Sequence, residues 1–187
     1  MNKTERKVHL FLTGEIQVGK STIIRKFMKT IMIPPEQTGG FITKGWYYPD
    51  TSSSVHLLSV TEKEGFCREN CIMMREPKSN RLRTKPVLYP EVFETLGLEL
   101  LNNIEGKKLL LMDELGFVER GAPLFRERVL NLLDGDVPIL GVLKKWPDEF
   151  LRQVEEHPKV EVIHVTEENR DEIAGIMSFV WNLCSQR

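Results

Sequence analysis

Short apolar runs recur along this chain, each followed by a longer stretch whose apolar positions fall three or four apart. The pattern predicts strands alternating with helices, and so a mostly parallel α/β sheet. Residues 8–12, Val-His-Leu-Phe-Leu, read as a short buried strand, and residues 21–28 as the helix behind it. Pro34 and Pro35 end that first unit. The rhythm then changes. Residues 41–48 and 55–60 are rich in β-branched and aromatic positions, with the turn-forming run Pro-Asp-Thr-Ser-Ser-Ser between them, and residues 71–75 supply a third candidate strand. These predict an antiparallel meander inserted after the first helix.

The alternation resumes with a helix over 90–103, a strand over 108–113, a helix over 123–134 and a strand over 137–143. A helix over 147–156, a strand over 160–165 and a closing helix over 169–184 follow. Strand 108–113 is continuously apolar, as in strands buried on both faces. On the closing helix, Ile173, Ile176, Met177, Val180, Trp181 and Cys184 share one face and read as core. With no repeat, low-complexity tract or long linker, residues 1–187 read as one domain.

Between the first strand and helix stands Gly14-Glu15-Ile16-Gln17-Val18-Gly19-Lys20-Ser21-Thr22, a complete G-x-x-x-x-G-K-[ST] phosphate-binding loop. Its two end glycines allow a tight turn whose backbone N–H groups converge on a polyphosphate, and the helix behind adds its N-terminal partial positive charge. Lys20 can reach the β- and γ-phosphates, and the Ser21 hydroxyl can ligate Mg²⁺. This context predicts a nucleoside triphosphate as ligand.

Composition narrows the setting. The chain is 41% hydrophobic with a formal net charge of −1, so there is neither the polarity of a disordered chain nor a basic field to recruit nucleic acid. No apolar run approaches the roughly 20 residues of a membrane span. The charged start, Met-Asn-Lys-Thr-Glu-Arg-Lys, does not read as a signal peptide. Three cysteines, an odd number, argue against a disulfide framework and for a reducing, cytoplasmic setting. Cys67 and Cys71 lack further ligands nearby and read as ordinary thiols.

A phosphate loop needs a Mg²⁺ carboxylate at the end of a neighbouring strand. Asp113 closes the run Leu-Leu-Leu-Met-Asp and can hold the ion directly or through water, with Ser21 as the second protein donor. Glu114 follows immediately. A second carboxylate there can orient and polarise an attacking water, which hydrolysis requires; alternatively it is a solvated loop acid or a helix cap. Lys20, Asp113 and Glu114 are therefore the candidate catalytic residues. Glu119 is the next candidate acid for the metal.

Four segments together resemble one family: the phosphate loop, Gly-Gly-Phe-Ile-Thr at 39–43, Asp-Glu-Leu-Gly-Phe-Val-Glu at 113–119, and Thr-Glu-Glu-Asn-Arg-Asp at 166–171. In order and spacing the chain is similar to the thermophile-type nucleoside-triphosphatases, whose vertebrate member is called the cancer-related nucleoside-triphosphatase. The resemblance implies a three-layer phosphate-loop NTPase fold and slow, base-tolerant hydrolysis of nucleoside triphosphates. Two departures stand out. The family's loop usually reads Gly-Pro-Pro-Gly-Val-Gly-Lys-Thr-Thr, where this chain has Glu15, Ile16 and Gln17 in place of Pro, Pro and Gly. The family's acidic motif also commonly carries a lysine where this chain has Phe117. If that lysine neutralises charge, turnover here is lower or another cation substitutes. Arg75, Lys78, Arg81, Arg83 and Lys85 form one candidate source, either a flap bringing an arginine to the γ-phosphate or a solvated basic loop; Arg120 and Arg126 form another.

For the base, the late Asn-Lys-x-Asp run of guanine-specific proteins is missing, since residues 143–148 read Leu-Lys-Lys-Trp-Pro-Asp. The loop 166–170 is the remaining candidate. Arg170 could stack on a purine, while Thr166 either helps frame the base or caps the last helix. A nucleotide or small-molecule kinase, and a nucleotide-gated regulatory module, stand as alternatives to the hydrolase. The sequence leaves any protein partner open.

Overall fold

The computed structural model describes residues 7–50, 52–61, 65–77 and 85–185, apart from the side chains of 179, 180 and 182–185. The strands are β1 (His9–Gly14), β2 (Thr38–Tyr47), β3 (Ser53–Ser59), β4 (Cys71–Arg75), β5 (Val87–Leu88), β6 (Leu109–Leu115), β7 (Ile139–Leu143) and β8 (Val160–Val165). The helices are α1 (Lys20–Met28), α2 (Leu98–Asn102), α3 (Pro123–Leu133), α4 (Glu149–Glu155) and α5 (Ile173–Ser185). The eight strands form one sheet in the order β5-β4-β3-β2-β6-β7-β1-β8. From β2 to β8 every neighbour is parallel, and from β2 outward to β5 every neighbour is antiparallel.

The expected meander is therefore present, but it is an extension of the main sheet. Thr38–Ile42 of β2 pair in parallel with Leu109–Asp113, while Phe41–Tyr47 pair antiparallel with Ser53–Ser59. Phe41 and Ile42 have a strand on both sides.

Alternation along the parallel strands builds two cores. Phe11, Leu110 and Met112 point to the face covered by α2, α3 and α4, where Phe41, Phe93 and Phe125 pack edge to face or tilted. Leu10, Leu12, Leu109 and Leu111 point to the opposite face with Ile24 and Phe27 of α1 and Met177 and Trp181 of α5. Helix–sheet–helix is the resulting layering. Among the described residues no helix is long and apolar enough to cross a membrane.

Three expectations need correction. Segment 90–103 is not one uniform helix: a π-helical turn over Phe93–Gly97 leads into α2, and the wider turn sets Phe93 against Phe125, ring centroids 4.8 Å apart. The closing helix begins at Ile173, four residues later than its sequence pattern implies, because Thr166 and Asn169 hold the preceding turn. Ile176 is not core but 43% exposed. The buried row Ile173, Met177 and Trp181 runs at i, i+4, i+8, and Ile176 falls beyond its edge. The side chains of Val180 and Cys184 lie outside the described ones. Cys67 is exposed and Cys71 buried, and both are free thiols.

His9 ties the start of β1 to the rest of the sheet. Fully buried, it donates from Nε2 to the Leu133 carbonyl (2.9 Å) and accepts at Nδ1 from the Ile139 amide (3.1 Å). Burial pushes the imidazole down to about 4. The unfolded chain then takes up a proton first as pH falls through 6.5, so this contribution to stability, complete above 6.5, is lost between 6.5 and 4. His9→Leu would strand a buried N–H and C=O and should cost about 3 kcal/mol at pH 7.5. That difference from wild type should narrow at pH 5, since only wild type has His9 to protonate. Denaturant melts at both pH values check it, and a gap that widens at pH 5 is the contrary outcome.

Candidate active site

The chain leaves β1 at Gly14 with φ +142°, where a Cβ would lie 2.3 Å from the Val165 carbonyl oxygen, so only glycine lets the loop start against β8. It re-enters helix at Gly19, φ +109°, and α1 begins with no side-chain cap and no acid in its first turn. The amides that an N-cap would occupy thus remain for an anion. Gln17, standing where the resembled family has glycine, takes the left-handed conformation at φ +65°. For a residue with a Cβ this costs roughly 1 kcal/mol, too little to prevent the loop.

Lys20 is buried and donates from Nζ to the carbonyls of Gly14 (2.8 Å) and Glu15 (2.7 Å). Burial lowers its pKa, with Glu114 and Lys144 the leading nearby charges. Ser21 Oγ donates to Asp113 Oδ1 at 3.0 Å. Asp113 is buried, and burial pushes its carboxyl up to about 6 against the pull of that hydrogen bond.

Asp113 and Glu114 sit where β6 and β7 fall out of register. Met112 pairs with Gly141 and Leu115 with Leu143, so two residues of β6 face one of β7. In a regular strand, consecutive side chains would point to opposite faces; the bulge re-aims them. Asp113 reaches Ser21 while Glu114 lines the phosphate cleft.

That cleft, about 420 Å³, is lined by Gly14, Glu15, Ile16, Gln17, Gly19, Lys20, Ser21, Thr22, Glu114, Lys144 and Lys145. Of the loop residues expected there, Val18 alone sends its side chain into the core, leaving its backbone to the loop. Arg170, expected beside the base, is exposed and lines neither this cleft nor its neighbour. Its turn is held by Thr166 and Asn169, whose amides each donate to the other's side-chain oxygen (2.8 and 3.3 Å), so Thr166 closes this turn and does not cap the last helix, which begins at Ile173. The neighbouring cleft, about 900 Å³, is lined by residues that include Glu15, Lys144, Lys145, Trp146, Arg152 and His164.

The other candidates are placed as follows. Glu119 turns away from the loop: it is buried, both its oxygens accept from the Gly116 amide at 3.1 Å, and burial pushes it up to about 7. Arg120 and Arg126 both pair with Asp148, the cap of α4. Lys78, Arg81 and Arg83 lie outside the described residues. Phe117 packs tilted against Trp146, ring centroids 5.3 Å apart.

Two residues escaped the sequence reading. Lys144 pairs with Glu114 at 2.9 Å, and Lys145 with Glu15 at 2.7 Å. Hydrogen bonding to Lys145 lowers the Glu15 carboxyl. The negative charge that this chain places in its loop thus arrives with a counter-ion. The visible signal was a lysine pair directly after an apolar strand; the missing information was which strand lies beside the loop.

The NTPase family matches residues 9–177 of the chain. Nucleoside-triphosphatase THEP1 of Thermotoga maritima is 24% identical over 175 residues, covering 91% of this chain and 95% of that protein. The cancer-related nucleoside-triphosphatase of Homo sapiens is 26% identical over 175 residues, covering 88% and 92%. Among solved structures, the human cancer-related nucleoside triphosphatase superposes with a TM-score of 0.70 at 22% identity, covering 98% of this chain and 100% of that one. THEP1 from Aquifex aeolicus superposes with a TM-score of 0.67 at 21% identity, covering 92% and 98%. At such identities the superpositions speak to the fold alone.

Proposed function

The chain belongs to the NTPase family, and from that membership we propose that it hydrolyses nucleoside triphosphates with Mg²⁺, discriminates little among bases, and uses water as the attacking group. Nucleoside-triphosphatase activity follows from the family and its named members; the metal, the base tolerance and the residue roles are our reading. The observation that carries it is the 3.0 Å hydrogen bond between Ser21 and Asp113 beneath the loop, with Glu114 next along β6 on the wall of the cleft.

A hydroxyl and a buried carboxylate are hard oxygen donors of the kind Mg²⁺ takes alongside phosphate oxygens. A carboxyl raised to about 6 by burial is also one that a neighbouring cation would stabilise as the anion. Ser21 and Asp113 would hold the ion, which when bound supplies positive charge to the phosphates. Lys20 adds a second charge, and the loop amides fix the chain of phosphates. Glu114 receives the proton of the attacking water as the water oxygen bonds to the terminal phosphorus and the bridging P–O bond breaks, its electrons leaving with the nucleoside diphosphate. Broad base tolerance is supported by a neighbouring cleft of about 900 Å³, wide enough to accept bases of either size.

The same cleft supports a second reading, a kinase whose phosphate acceptor lies against Lys144 and Lys145. Phosphate release from ATP, GTP, CTP and UTP, with and without candidate acceptors, separates the two. Acceptor-independent release from all four, within about tenfold of one another, is the expected result; turnover that needs an acceptor overturns the hydrolase. In the same assay Asp113→Asn should raise the Mg²⁺ needed for half-maximal rate, since an anionic ligand becomes neutral. An unchanged Mg²⁺ dependence would take the metal away from Asp113.

A further inference from the structure

Lys144 is the residue that leaves the carboxyl end of β7, and β7 separates β1 from β6. Its side chain therefore emerges between the phosphate loop and the acidic pair, although it is remote from both in sequence. The local packing seats it there. Its stem lies over Gly116, where an added Cβ would meet Lys144 Cδ at 3.3 Å, and its ammonium stands 5.2 Å from the Phe117 ring centroid. From that seat Nζ donates to Glu114 Oε1 at 2.9 Å. Lys20, Glu114 and Lys144 all line the one cleft.

A carboxylate held by an ammonium is not free to orient water. A bound triphosphate changes the competition, because its terminal phosphate presents more negative charge and more acceptor oxygens than one carboxylate. We propose that Lys144 is a gate on Glu114: it holds Glu114 in the absence of substrate and moves to the terminal phosphate of a bound triphosphate, which frees Glu114 to take the proton of the attacking water. The exchange makes and breaks only hydrogen bonds and ion pairs. A diphosphate lacks the terminal group and leaves the pair closed, so the product does not open the site. Lys144 is thereby assigned both the recognition of the third phosphate and the readiness of the base. The inference rests on the hydrolytic reading of Glu114 given above.

The test compares wild type with Lys144→Met, Lys144→Arg, Glu114→Gln and the Lys144→Met/Glu114→Gln double variant. Affinities for a non-hydrolysable triphosphate analogue and for the matching diphosphate are measured, together with single-turnover hydrolysis. Methionine keeps the stem that covers Gly116, and retained diphosphate binding certifies the fold. Lys144→Met should lower the preference for triphosphate over diphosphate by about tenfold, with diphosphate affinity unchanged, and should slow hydrolysis by about tenfold or more. Lys144→Arg keeps a cation and should restore the preference. Glu114→Gln, which removes the competitor, should bind triphosphate more tightly than wild type, and that gain should vanish in the double variant.

An unchanged triphosphate preference in Lys144→Met overturns the gate, as does equal loss of both nucleotides. If Lys144→Met behaves as wild type while Glu114→Gln is inactive, the gate fails and the hydrolytic reading stands. Full activity in Glu114→Gln removes both.

Discussion

Replacing Lys20 with alanine is expected to lower nucleoside-triphosphate turnover at least a hundredfold and to weaken triphosphate binding. Among the described residues its ammonium is the one cation buried inside the loop, 2.8 Å from the Gly14 carbonyl and 2.7 Å from that of Glu15. It therefore does two things. Without ligand it bridges the turn, and with ligand it is the charge closest to the path of the phosphates. Losing a contact of the second kind costs about 3 kcal/mol or more, and so a hundredfold in rate. Losing the first loosens the loop, so binding and turnover should fall together. Single-turnover hydrolysis and titration with a fluorescent triphosphate analogue measure the two effects. Near wild-type hydrolysis in Lys20→Ala would remove the site assignment altogether.

Glu114→Gln should divide the same two measurements. The amide keeps the shape and one acceptor oxygen of the acid but is a poor base. Turnover should fall by about 10²–10⁴-fold, the range for losing general-base help, while triphosphate binding is not weakened. Glu114 is part-exposed and its charged partner is Lys144, so the substitution removes an ion pair that is screened by solvent and leaves no buried charge unpaired. The fold should be unaffected. Parallel loss of binding and turnover would make Glu114 a ligand or a structural acid. No loss of either would make it a solvated wall residue, and the kinase reading would gain.

Local chemistry made half of this site readable. The phosphate loop is contiguous, and its glycines, lysine and hydroxyl are needed at fixed spacing. Asp113 could be found because a strand buried on both faces is a continuous apolar run, and its first acid marks the polar end. The other half depends on strand order. Glu114 and Lys144 are 30 residues apart yet share a hydrogen bond, because β6 and β7 are adjacent in the sheet. No periodicity along the chain encodes that adjacency. The sequence offers cations among residues 75–85, near an expected flap, and at Arg120 and Arg126; the last two instead hold the start of α4 through Asp148. Phe117 shows the same limit. Its identity reads as a lost cation, but in the folded chain its ring lies 5.2 Å from one.

The strands were legible as elements because alternation and apolar runs are local signals. Their pairing was not. β2 carries no mark showing that its first half runs beside β6 and its second half beside β3. The buried face of the closing helix is narrower than its sequence pattern implies for a similar reason: Ile176 fits the helical period, but the width of the buried stripe is set by how much of α5 the sheet and α1 cover.

The double membership of β2 has a consequence for what can be cut away. Drawn as a list of elements, β3, β4 and β5 look like an accessory that could be trimmed to leave a smaller catalyst. Trimming them would strip the backbone of Phe41–Tyr47 of its partner and leave a long ladder of open amides and carbonyls, a template for aggregation. Removing β2 as well would make β6, the strand that carries Asp113, the outer strand of the sheet. The present boundary is the two-residue β5, too short to recruit another chain. The outer strands thus act as a selvedge, the finished margin that keeps a woven cloth from unravelling, and they place the acidic strand four strands in from that margin.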